Sequence, residues 1–271
     1  MLGKLIKYEF KATRKMLLLY GLLFVLATAM AVILRFSSNA EGDLFVEAMG
    51  EEARFSEFFA LFTFLISAAY AFMSAFIFAS VLFGAIGRFR FNLLGNQGYL
   101  MHTLPVKAGQ HILAKNIVSI VWTVLGVIAV LISYMIIGTI FFDIVLWDDL
   151  VLLLHKPEIQ SLFTSTRFWL ILAGVIVLAI ISVSELYFRI YASMAAGYSL
   201  NNHRRAASIG AFIVLSIINA IFHGVLLPVI PSPNTSTGWW FMIFEIIYAA
   251  VWGLIYYLIA AQLLNRRLNL Q

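Results

Sequence analysis

Six long apolar runs leave this chain few ways to fold. They cover residues 16–34, 58–87, 117–142, 168–200, 207–230 and 239–264. A helix rises about 1.5 Å per residue, so each run can cross a hydrocarbon core roughly 30 Å thick. A backbone in lipid must satisfy its own hydrogen bonds, which leaves helices or closed barrels. The runs are too long and too continuous for barrel strands of about ten alternating residues. The expectation is an all-α integral membrane protein with six transmembrane helices. The second and fourth runs exceed what a bilayer requires, which predicts tilt or extension into water. Only 11% of the 271 residues are charged, far fewer than a soluble domain carries. The polar segments are too short for a separate globular domain, so residues 1–271 read as one transmembrane domain.

The basic residues orient the helices. Lys4, Lys7, Lys11, Arg14, Lys15, Arg88, Arg90, Lys107, Lys115, Arg204, Arg205, Arg266 and Arg267 fall on one side of the six-span arrangement. The other side holds Arg35, Arg54, Lys156 and Arg167. Thirteen against four places both termini in the cytoplasm by the positive-inside rule. The acids agree, with Glu41, Asp43, Glu47, Glu51, Glu52 and Glu57 in the first outer loop and Asp143, Asp148, Asp149 and Glu158 in the second. The net charge of +5 thus reflects topology rather than nucleic-acid binding. Ala29-Met30-Ala31 fits a small-x-small cleavage pattern. The preceding basic region is about 15 residues long, however, and the apolar run continues through Leu34, so an uncleaved first span is expected.

Residues 1–15, MLGKLIKYEFKATRK, differ from the spans. Leu2, Leu5, Ile6 and Phe10 can share a helical face, with Lys4, Lys7, Lys11 and Arg14 around the rest. That pattern predicts an amphipathic helix lying at the membrane surface. The alternative is a plain basic flank that retains the first span.

Reactive constellations are hard to find. Without cysteine there is no disulfide, thiolate metal site or cysteine nucleophile. His102, His111, His155, His203 and His223 share no HxxxH spacing, and HExxH, GxSxG, GxGD and the phosphate loop GxxxxGK[ST] are all missing. No catalytic, cofactor-binding or metal-binding residue is therefore assigned, and an enzyme is the least favoured class. Ionisable residues inside spans are costly and therefore informative. Glu185 and Arg189, acid first at i,i+4, can pair on one helical face, either as a structural pair or as part of a translocation path. Glu245 in the sixth span has no local partner; it is either hydrated or turned to another helix. His223 reads as a hydrogen-bonded packing residue, with a proton relay as the alternative. Gly84, Gly87, Gly126, Ala192, Ala195, Ala196 and Gly197 allow close helix approach. Trp239, Trp240, Tyr248 and Trp252 suit an outer aromatic belt.

The segment from Arg88 to Asn116 is the largest cytoplasmic connector. It mixes Phe89, Phe91, Leu93, Leu94, Tyr99, Leu100, Leu104 and Val106 with basic residues, and its core reads GNQGYLMHTLPVK. Gly95 and Gly98 permit turns, and Pro105 suits the start of a helix running from about Val106 into the third span. Apolar side chains in a cytoplasmic link need a surface to pack on, either a partner protein or the chain's own bundle.

The pattern Gly98-Tyr99-Leu100, Thr103-Leu104-Pro105-Val106 and Lys115 resembles the corresponding segment of bacterial ABC transporter permeases of the type-2 exporter class. The basic start Leu5-Ile6-Lys7-Tyr8-Glu9-Phe10-Lys11, the stretch from Tyr191 to Arg205 and the ending Asn265-Arg266-Arg267-Leu268-Asn269-Leu270-Gln271 are similar to those permeases as well. The resemblance implies a bacterial plasma-membrane exporter subunit that binds no cofactor itself. Separate ABC ATPase subunits would bind ATP and magnesium, and a second permease subunit, identical or not, would complete the pore. It further implies ATPase contacts at Asn96, Gly98, Tyr99, Leu100, Thr103, Leu104 and Pro105, with a smaller one at Asn202, His203 and Arg204. The cargo class would be a peptide, an antibiotic or a lipid-like molecule. Two other functions stay open: a secondary carrier using Glu185, Arg189 and Glu245, and a membrane scaffold or sensor.

Overall fold

The computed structural model describes residues 2–40, 52–95, 106–141, 152, 154–200, 203–229 and 238–266. These residues are helical throughout, apart from short turns. In chain order the helices are α1 (Leu2–Thr13), α2 (Met16–Ala40), α3 (Glu52–Phe89), α4 (Ala108–Phe141), α5 (Pro157–Thr164), α6 (Thr166–Tyr198), α7 (Arg204–Leu226) and α8 (Gly238–Arg266). Six of them, α2, α3, α4, α6, α7 and α8, are long and apolar enough to cross a membrane. The chain is thus a helical membrane protein of the expected class. Helix α3 has 38 residues and α6 has 33, so both exceed the length a bilayer needs, as their apolar runs predict.

Boundaries differ from the expected ones for local reasons. Helix α4 starts at Ala108, close to the start near Val106 that Pro105 suggests and ahead of the apolar run at residue 117, because nothing between Ala108 and Asn116 breaks a helix. Helix α7 starts at Arg204 and takes both arginines into its first turn. After Phe89, α3 widens into a π-helical turn over Arg90–Leu94. Such turns carry i→i+5 hydrogen bonds and occur mostly as single insertions into α-helices. Here the turn buries Leu93 and Leu94. Gly95 ends it in an extended conformation, where a Cβ would stand 3.1 Å from the Phe91 carbonyl oxygen.

The chain divides into two compact units. The first comprises Met1–Thr13, Leu82–Val121 and Ser165–Gln271. Its core gathers Phe89, Leu93, Ile112, Tyr191, Tyr256 and Ala260, all nearly inaccessible. Phe89 stacks on Tyr191 with ring centroids 4.4 Å apart and planes 7° from parallel. Helix α6 packs along both α7 and α8. Gly197 permits part of this, since a Cβ there would collide with the backbone of Ser208. Gly253 of α8 lies against Glu185 of α6, its missing Cβ 3.6 Å from the Glu185 Cα. In lipid the tails are as apolar as leucine, so close packing and interhelical hydrogen bonds replace the hydrophobic effect as the source of association.

The second unit comprises Arg14–Val81 and Trp122–Thr164. Tyr20, Leu23, Ala27 and Ala31 form the buried stripe of α2, and Tyr70, Met73, Ile77 and Val81 that of α3; both follow helical spacing. The Tyr20 hydroxyl donates to the Trp122 carbonyl oxygen at 2.7 Å. Gly126 accommodates Ile77 and Tyr20, which lie 3.2 and 3.6 Å from where its Cβ would stand. By contrast, Gly87 has open space around it and serves no close approach.

Candidate functional site: the connector clasp and the polar string

Two polar assemblies stand out in the first unit. The first joins the two ends of the connector. Arg88 is the penultimate residue of α3, and Lys115 lies in the third turn of α4. Both reach Glu9 of α1. Lys115 Nζ donates to Glu9 Oε1 at 2.6 Å, and Arg88 pairs with the same carboxylate through Nη2. Arg88 Nη1 also donates to the Glu9 backbone oxygen at 3.1 Å. Lys115 is only 4% exposed and Glu9 12%, so water screens the pair little. Removing one partner of such a buried pair costs about 3–5 kcal/mol, because the other charge is left uncompensated.

Helix α1 is turned accordingly. Leu2, Leu5, Ile6, Glu9 and Thr13 are half-buried, at spacings of three and four. Phe10, expected on the face of Leu2, Leu5 and Ile6, is instead exposed, as is Tyr8. This rotation turns Glu9 towards Arg88 and Lys115.

Beside the clasp, Asn116 of α4 donates through Nδ2 to Ser184 Oγ of α6 at 2.7 Å. Its Oδ1 is buried and has no hydrogen-bond partner among the described residues. The expected contact residues Asn96, Gly98, Tyr99, Leu100, Thr103, Leu104, Pro105 and Asn202 lie outside the described residues. His203 precedes α7 in a left-handed backbone conformation, φ 52° and ψ 37°, with its side chain exposed and not capping the helix. Arg204 follows in the first turn.

The second assembly runs between α6, α7 and α8. Glu185 Oε1 lies 3.6 Å from Arg189 Nε, one turn away on α6. The same oxygen accepts from Asn219 Nδ2 of α7 at 3.2 Å. Asn219 Nδ2 also approaches the Tyr256 hydroxyl of α8 at 3.3 Å. The Tyr248 hydroxyl donates to the Asn219 backbone oxygen at 2.7 Å. One turn along α7, His223 Nε2 meets Glu245 Oε1 of α8 at 2.9 Å. Each carboxylate therefore has a basic neighbour, and Glu185 also accepts from Asn219, which lowers the cost of placing it inside a span. The Arg189 guanidinium in turn lies over the Phe212 ring, 5.6 Å from its centroid.

The pairing of Glu185 with Arg189 matches the i,i+4 reading. Glu245 turns to another helix and finds His223. Asn219 was missed, although its i,i+4 relation to His223 marks a polar stripe on α7. Two residues of the expected outer belt, Tyr248 and Trp252, are half-buried and belong to a column of rings along α8. Tyr248 contacts Trp252 at 6.2 Å, and Trp252 contacts Tyr256 at 5.4 Å. Spacing of four places these rings on one face of α8, where Phe222 and His223 of α7 meet them. Trp240 remains exposed. Among the described residues no group of three or more potential metal ligands occurs.

Comparison of the chain with protein-family models, curated proteins and solved structures finds no match in any of the three.

Proposed function

We propose that the chain is the membrane-spanning subunit of an ATP-driven exporter in a bacterial plasma membrane. The family resemblance of the connector motif supplies the class, and the clasp on Glu9 is the observation that supports it. A passive link between two spans needs no fixture. Here α3 and α4 are both tied to one carboxylate, next to the segment that carries GYL and TLPV. Force delivered to the connector would pass into both helices and into α1 together, instead of dissipating in a loose loop.

In this account both termini are cytoplasmic and α1 lies at the membrane surface, its exposed Lys4, Lys7 and Lys11 facing headgroups. Separate ABC ATPases bind ATP and magnesium and hold the connector through Tyr99, Leu100, Leu104 and Pro105. A second permease subunit completes the path for a peptide, antibiotic or lipid-like cargo. Coupling requires that the connector bind the nucleotide states of the ATPase with different affinity.

The test is copurification from native membranes followed by transport in reconstituted vesicles. The tagged chain should bring down a phosphate-loop ATPase, and cargo movement should require ATP. Leu100→Asp with Leu104→Asp should leave insertion intact and abolish both. Unchanged copurification of that variant refutes the contact.

One observation favours a secondary carrier as the second reading: two carboxylates, Glu185 and Glu245, hydrogen-bonded within candidate spans. Transport driven by a pH gradient without ATP would select it.

A further inference from the structure

A groove of about 400 Å³ runs along the first unit between the end of α3, the end of α6 and the start of α7. Ile86, Met194, Ile209 and Phe212 help make its apolar wall, and Arg90 and Arg205 line it too. Arg205 is exposed and Arg90 partly so. Among the described residues neither arginine has a carboxylate partner; the Arg90 guanidinium lies over the Phe91 ring, 4.7 Å from its centroid. Among the described residues no carboxylate lines the groove.

The start of α7 adds to this positive field. A helix N-terminus carries a partial positive charge that favours acids and disfavours bases. The first turn of α7 has no acid, begins with Arg204 and Arg205, and receives no side-chain cap from His203. Arg205 therefore stands where the helix itself repels it. An anion at this point would offset that repulsion, and an apolar chain would fill the wall below it.

We infer that this groove seats one resident anionic phospholipid, its phosphate between Arg90 and Arg205 and an acyl chain against Ile86, Met194, Ile209 and Phe212. A free phosphate would leave the apolar wall empty, and a zwitterionic lipid would leave the arginine pair less compensated. Basic pockets between spans are known to hold anionic headgroups. The inference needs only that the helices lie in a membrane, so it stands or falls separately from the exporter proposal.

Native mass spectrometry of the purified full chain tests it, after exchange into equal amounts of phosphatidylglycerol and phosphatidylcholine. The wild-type chain should retain one phosphatidylglycerol in preference. Retention should fall about fivefold for each arginine removed in Arg90→Gln and Arg205→Gln. The double lysine variant should keep most of it, showing that charge and not a folding defect is read. Lys156→Gln with Arg167→Gln, both exposed and neither lining the groove, should change nothing. Ile209→Trp should narrow the groove and lower retention with both arginines present. Equal retention of the two lipids would overturn the assignment. So would displacement of the lipid by millimolar inorganic phosphate, which would identify a bare anion site. An Ile209→Trp variant that shifts the monomer–dimer ratio without releasing lipid would also overturn it, because a second copy would then be the occupant.

Discussion

The two units bury polar groups in different ways. Among the described residues, the first buries Lys115 and Glu185 along with His111, Asn116, Ser119, Ser193 and Ser208, and the second buries Ser133. Among the described residues, the buried side-chain bonds of the second unit are neutral, as in the Tyr20 bond to the Trp122 carbonyl and the 2.7 Å bond between Tyr70 and Ser133. The first unit adds ionic bonds, which join α1 to α3 and α4, to neutral ones such as Asn116 to Ser184. Neutral hydrogen bonds are enough to align helices in a membrane. Charges there are costly, and the ionic bonds where the connector begins and ends are the feature on which the exporter proposal draws.

That contrast can be broken by substitution. Glu9→Ala should have the largest effect. It leaves Lys115 and Arg88 without their carboxylate and should cost about 3–5 kcal/mol, read as early thermal unfolding in detergent. Gly197→Val comes next. Its side chain would meet the Ser208 backbone, so the α6–α7 contact must open at a cost of about 1–3 kcal/mol; the same assay reads it, and Gly87→Val should be nearly silent by comparison. Glu245→Gln should cost about 0.6–1.7 kcal/mol, the range for single polar interactions between membrane helices. If it instead abolishes transport while the fold survives, the secondary-carrier reading gains. Tyr70→Phe in the second unit should be smallest, near 0.6 kcal/mol. A second-unit variant that matched Glu9→Ala in unfolding would erase the contrast.

Sequence reasoning reached some of this and missed the rest for physical reasons. The spans were legible because hydropathy is a local property and a bilayer imposes a minimum length. The Glu185–Arg189 pair was legible because helical geometry fixes i,i+4 neighbours. The clasp was not, since Glu9 lies 79 residues from Arg88 and 106 from Lys115, and no periodicity links such distances. His223 and Glu245 sit on different helices, so each looked solitary. The π-helical turn after Phe89 left no mark either, because RFNLL has no residue that demands it. Tyr248 and Trp252 misled because aromatic residues suit both a membrane interface and a packed helix face.

The absence of cysteine makes one measurement unusually direct. A single Leu100→Cys variant can be labelled with a membrane-impermeant maleimide in intact cells and in inverted vesicles, with and without the copurifying ATPase. The exporter account predicts no labelling in intact cells, full labelling in stripped inverted vesicles and protection when the ATPase is restored. Labelling in intact cells would put the connector on the wrong side of the membrane, and unprotected labelling beside a bound ATPase would show that the motor grips elsewhere.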